Sequence, residues 1–205
     1  SEFGKSGNVD IVTGNGGEDA SSGSIFIRTG KSGSGQSGSI NFESGNSMMS
    51  NEGFRISIGH SQEKGGDIQL SAGGSARSTG GSIILSSGGS EKMASGGVFL
   101  STAMSVQGGR SGKVQISSGT SVQYSSGAIS IQSGETKSGI SGGIALVVGN
   151  GGSGNGGSVY LSAGNSHTQH SSGGEVKIQA GLSSGVSEGG KVSLMAGSSE
   201  SATGG

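Results

Sequence analysis

The stretch Gly157-Ser158-Val159-Tyr160-Leu161-Ser162-Ala163-Gly164 decides how this chain is interpreted. It has the form Gly-x-Φ-x-Φ-x-small-Gly, where Φ is a large apolar residue. Alternation with period two is typical of an extended segment that buries one face. The same phrase occurs thirteen times along the sequence, at steps of fourteen to seventeen residues. The sequence therefore predicts a repeat array.

Each copy contributes an apolar pair, which consists of its first large apolar residue and the apolar residue two positions later. The residue two positions beyond the pair is usually small, with Ile58 and Val148 as the larger exceptions. Because alternate side chains share one face of an extended segment, we predict that the pairs form the core of the array. These predicted core positions are Val9, Ile11, Ile25, Ile27, Ile40, Phe42, Phe54, Ile56, Ile68, Leu70, Ile83, Leu85, Val98, Leu100, Val114, Ile116, Ile129, Ile131, Ile144, Leu146, Val159, Leu161, Val176, Ile178, Val192 and Leu194.

Glycine and serine bracket the apolar pairs at fixed places. A glycine lies two residues before each pair except in the fourth copy, where Glu52 takes its place, and a second glycine usually follows the small residue. Glycine at fixed places in a repeat indicates a corner or a close backbone approach. A serine or threonine then recurs, for example Ser75 and Ser166, and in stacked copies we expect a column of hydroxyls. Length varies only in the segment that follows, which indicates a surface loop.

One copy is too short to fold alone, so neighbouring copies are expected to stabilise each other. The predicted fold class is all-β, a β-solenoid of about thirteen repeats with one strand of five or six residues per repeat. Two copies per coil would bring the apolar pairs together between two facing sheets, and burial favours that arrangement over one copy per coil. Intertwined chains in a trimeric fibre are a third arrangement that the sequence leaves open.

Composition limits the classes of function. Glycine accounts for 48 of 205 residues, and proline, cysteine and tryptophan are absent. Such a composition is typical of disorder, but the strict apolar period argues against it. The net charge is −1 and the basic residues are scattered, which argues against a nucleic-acid partner. The longest apolar run, residues 144–148, is far too short to span a membrane.

No motif predicts catalysis, a cofactor or a metal. The glycine patterns at 33–38 and 152–157 match a dinucleotide-binding spacing, but neither is expected to begin a helix, which a phosphate site requires. His167 and His170 share one variable loop, where a solvated polar loop is the better interpretation because a metal site needs three or four ligands. Calcium binding by each repeat would need a recurring carboxylate, and the chain has only three aspartates. We predict that the chain is not an enzyme.

The predicted domain organisation is a single repeat array over residues 6–200, with a lead-in at 1–5 and a tail at 201–205. Ser1-Glu2-Phe3 is interpreted as a cloning remnant. The first copy of the repeat begins at Gly7 and the last one extends to Ser199, without a capping segment at either end. Uncapped ends would expose unpaired edges, so we expect the sequence to be part of a longer repetitive protein.

Copies such as residues 81–88, Gly-Ser-Ile-Ile-Leu-Ser-Ser-Gly, carry a resemblance across nearly the whole chain. The repeat resembles the Gly/Ser-rich repeats of secreted wall-associated and adhesive proteins of diatoms and other microalgae, and repeats of phage and bacterial surface fibres. The resemblance implies an extracellular or cell-surface, fibrous, non-catalytic protein. Its expected partners are other copies of itself, in end-to-end, lateral or trimeric assembly, and polysaccharide, mineral or other surfaces.

The alternative function is ice binding on a flat solenoid face. Ice-binding solenoids usually present ranks of outward threonines, whereas the outward strand positions here are irregular, for instance Asp10, Phe26 and Arg55. A polysaccharide-modifying enzyme on a parallel β-helix is a third reading, for which the longer coils and clustered aspartates are missing.

Overall fold

The computed structural model describes residues 6–51 and 53–200, and these contain neither a helix nor a β-strand. The prediction of an all-β solenoid is therefore wrong. Segments that hold the apolar pairs alternate with loops, and two compact units are distinguished, Ser1–Leu100 and Ser101–Gly205. The predicted lead-in at 1–5 and tail at 201–205 lie outside the described residues.

The reason for the difference is backbone pairing. A solenoid strand exchanges hydrogen bonds along its whole length with the matching strand of an adjacent coil. In the described part of the chain, the long-range backbone bonds are instead single bonds at the ends of loops, as from Gly81 N to the Gly73 carbonyl. Alternation of apolar and other residues with period two predicts that a segment has two different faces. It does not determine which other segment, if any, forms hydrogen bonds with its backbone.

The recurring structural unit is a closed loop, defined here as the segment between the glycine after the small residue of one copy and the glycine before the apolar pair of the next. The backbone N–H of the second glycine donates to the carbonyl of the first in four of these loops. The donor–acceptor distances are 2.8 Å for 81 to 73, 2.9 Å for 96 to 88, 2.8 Å for 174 to 164 and 2.9 Å for 190 to 181. Compact loops with adjacent ends are a common surface element.

Each closed loop ends at a junction, the point where the small residue of one copy approaches the glycine of the next. Where the small residue is threonine, its hydroxyl closes the junction by donating to the glycine carbonyl. Thr13 Oγ1 lies 3.2 Å from Gly23 O, and Thr102 Oγ1 lies 3.3 Å from Gly112 O. The same bond joins Thr29 Oγ1 to the carbonyl of residue 38 at 3.2 Å.

Close approach of two backbone segments accounts for the glycine at some of the junctions. A Cβ placed on Gly190 would lie 3.0 Å from Gly181 N, and one on Gly174 would lie 3.2 Å from both the Ala163 Cβ and the Gly164 N. A side chain of any size at these positions would push the two backbone segments apart. Glycine is therefore required for close approach at these two junctions, whereas a Cβ on Gly81 or Gly96 would meet its neighbours at 3.4–3.7 Å, an ordinary contact.

The recurring serine begins a turn inside its own loop. Ser75 Oγ accepts the backbone N–H of Ser78 at 2.9 Å, Ser90 Oγ accepts that of Met93 at 3.0 Å, and Ser121 Oγ accepts that of Tyr124 at 3.1 Å. Equivalent bonds are made by Ser32, Ser47, Ser61 and Ser166 to an N–H two or three residues further on. These are local side-chain turns, which serine favours because its hydroxyl satisfies an otherwise free N–H. The hydroxyls therefore bond within each copy.

Candidate functional site

The apolar pairs are exposed in the isolated chain. The exposed fraction of the predicted core positions runs from 44% at Ile40 to 89% at Val9. No residue of the described part is buried; only Thr13, Ala163, Ala180 and Ser183 are half-buried, and all others there are exposed. The apolar pairs thus belong to the molecular surface of the single chain, and their role as a buried core stays a prediction.

The two faces of each segment differ in exposure nevertheless. Val159 and Leu161 are 50% and 65% exposed, whereas Tyr160 between them is 87% exposed. Ile83 and Leu85, at 54% and 75%, likewise flank the more exposed Ile84, at 83%. In each of these segments the pair lies on the less exposed side, and we call the set of 26 predicted core positions the apolar stripe.

The first position of a pair is the more covered one in most copies. Ile40 is 44% exposed and Phe42 67%, while Val192 is 47% exposed and Leu194 86%. The first residue lies two positions after the junction glycine, nearer to the junction than the second residue of the pair. Val148, one of the two large residues at the small position, is 41% exposed because its Cγ1 lies against the glycine of the next copy.

The loops present a second group of exposed apolar side chains that the repeat pattern did not single out. Tyr124 is 84% exposed, Ile140 101% and Val186 110%, and Met48 and Met49 are 105% and 96% exposed. Each of them lies within four residues after a recurring serine or threonine. The signal available in the sequence was the turn-initiating serine itself, which places the residues after it at the tip of a loop.

Phe42 and Phe54 form an aromatic contact between the third and fourth copies. Their ring centroids are 5.9 Å apart with an interplanar angle of 26°. The second apolar residue of one copy thus meets the first apolar residue of the next, an offset-stacked pair of the kind that stabilises aromatic clusters. A shallow cavity of about 200 Å³ lies beside them, lined also by Glu43, Ser44 and Gly53. It is smaller than the ~300–1,000 Å³ that small-molecule sites occupy.

The other predicted site features stay apart from one another. Among the described residues, no group of three or more His, Asp or Glu side chains is placed to hold a metal ion. The loop of His167 and His170 is organised by Ser166, whose Oγ lies 3.4 Å from Thr168 Oγ1 and accepts the Thr168 N–H at 3.5 Å. Both histidines in that loop are exposed. The arrangement is that of a solvated polar loop.

The apolar stripe and the serine-initiated loops are therefore the features of the chain with a recurring geometry, and they form its candidate functional surface. Within the described residues there is no helix of the length and apolar character needed to cross a membrane. No protein-family model, no curated protein and no solved structure matches the sequence.

Proposed function

We propose that the chain is a non-catalytic structural and adhesive repeat module of a fibrous protein. The observation that carries the proposal is that the copies resemble one another. The same exposed pair and the same serine-initiated loop recur along the described residues, and no copy there is distinguished by a cluster of reactive side chains. An enzyme concentrates its chemistry in one concave site. A surface that repeats one weak contact many times acts through multivalency.

The loops supply the contacts of such a module. Their hydroxyls, amides and exposed apolar tips, such as Tyr124 and Val186, face solvent. One loop offers a few weak contacts, but linked loops engage an extended surface together and gain avidity over a single loop. The resemblance to algal wall-associated and surface-fibre repeats agrees with this role, and it is the basis for proposing an extracellular or cell-surface setting. Extended polysaccharide or mineral is then the expected target.

The experiment is retention of the purified chain on silica, calcium carbonate, cellulose and chitin particles. The matched control is a chain with residues 6–200 scrambled, which keeps composition and net charge but loses the repeat. We expect the native sequence to be retained on at least one surface about tenfold better than the scrambled chain, since only the native order repeats the loop geometry. Equal retention of the two chains on every surface would refute the proposal.

Ice binding is not carried forward as a second candidate. That alternative depended on the flat face of a solenoid, and the described residues form no sheet that could provide one.

A further inference from the structure

The chain as a whole leaves far more surface in water than a stable fold of this size does. A compact monomer of 19.6 kDa exposes about 8,600 Å², and a fully extended chain of that mass about 28,000 Å². The single chain exposes 21,543 Å². By this measure the isolated chain has buried about a third of the area that a compact fold would bury, so a partner has ample surface to cover.

The stripe alone is large enough to hold a partner. Fully burying a large apolar side chain removes roughly 60–120 Å² from water. With 26 stripe residues whose exposed fractions lie between 44% and 89%, the area still open to a partner is about 1,000–1,900 Å² per chain. A standard stable interface needs about 800 Å² from each partner.

The spacing of the stripe indicates which partner fits. Its apolar pairs recur every fourteen to seventeen residues, separated by glycine- and serine-rich loops of variable length. A partner that covers many pairs must carry recurring apolar groups of its own, and a second copy of this chain does so by construction. The net charge of −1, from 12 basic and 13 acidic residues, means that two copies do not repel each other strongly.

The backbone supports the same partner. Segments such as 159–161 make no backbone hydrogen bond of their own within the described chain, because the intrachain backbone bonds lie at loop ends and turns. Extended segments with free N–H and C=O groups pair readily with another extended chain. A second copy offers the same groups beside the same apolar pairs, so one contact would satisfy both requirements.

We propose that copies of this chain associate side by side through the apolar stripe, with the pairs of one chain packed against the pairs of another. This deepens the proposed structural role by naming the partner, and it rests on that role. Since every step of the array offers a similar pair, neighbouring chains can also join with an offset of one or more copies. Association is then open-ended, and the average mass rises with concentration.

The test is sedimentation velocity of the full chain over about a thousandfold range of concentration. The first variant carries Ile131→Asp, Leu146→Asp and Leu161→Asp, which put a charge on the stripe in three consecutive copies. The matched variant carries Ser130→Asp, Val147→Asp and Tyr160→Asp, which add the same three charges one position away, on the opposite face. The amide exchange of Gly81, whose N–H donates to Gly73 O, is followed in all three proteins to show that loop closure away from the substitutions is intact.

We expect the unaltered chain to associate and its average mass to rise with concentration. The stripe variant should shift the half-association concentration upward by about a hundredfold, because three buried apolar contacts are replaced by charges. The matched variant should stay within about threefold of the unaltered chain, since its charges lie outside the contact.

An unaltered chain that stays monomeric over the whole range would overturn the proposal, and so would an equal shift in the two variants. A monomer whose stripe amides are protected from exchange would overturn it as well, because the chain would then cover its own pairs. Surface retention is measured at a concentration where the chain is monomeric, so that adhesion to a surface is tested separately from association between copies. Retention without association leaves the adhesive function standing and removes only the second copy as partner.

Discussion

Loop closure at Gly190 can be perturbed by a single methyl group. A Cβ on residue 190 would meet Gly181 N at 3.0 Å, Gly181 O at 3.3 Å and the Ala180 Cβ at 3.4 Å. Two of these three atoms are backbone, so no side chain can move aside to make room. In Gly190→Ala the two segments must separate by a few tenths of an ångström, and this weakens the 2.9 Å bond from residue 190 N to Gly181 O.

The neighbouring glycine provides the control. A Cβ on Gly189 would meet only Gly181 O, at 3.6 Å, which is an ordinary van der Waals distance. Gly189→Ala changes the entropy of the unfolded chain in the same way as Gly190→Ala, because both replace glycine by alanine. The difference between the two variants therefore isolates the steric effect at the junction.

The magnitude follows from the bond that is lost. One backbone hydrogen bond contributes about 1 kcal/mol net, which corresponds to roughly a fivefold change in the opening equilibrium. We expect the amide of residue 190 to exchange about fivefold faster in Gly190→Ala than in Gly189→Ala, after correction for intrinsic exchange rates. Hydrogen exchange measured by NMR at low protein concentration is the assay. Equal protection in the two variants would show that close approach at the junction does not hold the loop shut.

Other positions test other parts of the repeat, by amide exchange where an N–H is bonded and by NOEs across the junction at Gly157 and Thr102. Gly157→Ala should destabilise its junction because the new Cβ would lie 2.7 Å from Val148 Cγ1. Adding Val148→Ala should restore closure, because the obstacle is a side chain that this second substitution removes. If the double variant is no more closed than Gly157→Ala alone, the contact with Val148 is not what opens the junction. Ser75→Ala should raise the exchange rate of the Ser78 amide about threefold while Ser75→Thr leaves it unchanged, because only the hydroxyl accepts that N–H. Thr102→Val should loosen its junction by about 0.5–1 kcal/mol and Thr102→Ser should not, whereas equal effects would show that the hydroxyl bond contributes nothing.

The positions of the recurring glycines, serines and apolar pairs could be predicted from the sequence. Which backbone segments form hydrogen bonds with one another could not. The glycines at 174 and 190 mark junctions with close backbone approach, and a requirement for no side chain at such positions leaves a direct trace in the sequence. Serine turns such as that of Ser75 are equally local, and a stacked column of hydroxyls is expected only of a solenoid. Whether an extended segment finds a backbone partner depends on contacts distant in sequence, to which a period of two is insensitive.

The same limit applies to the candidate surface. The division between the less exposed and more exposed faces at Val159, Tyr160 and Leu161 follows from alternation alone, and the exposed fractions agree with it. The loop tips at Tyr124 and Val186 were missed because the repeat was defined by its apolar pairs alone. Each lies three residues after a recurring serine, Ser121 or Ser183, so a search that starts from the serine would have found them.

Loop closure affects how the sequence of such a chain can evolve. The bond between residues 174 and 164 spans ten positions and the one between 81 and 73 spans eight, yet both are 2.8 Å long. The geometry at the base of a loop is thus independent of the number of residues within it. Insertions and deletions at the tips should leave the adjoining segments in place, so new peptides can be grafted there, for instance between Ser166 and Ser171, and each loop is free to diversify on its own.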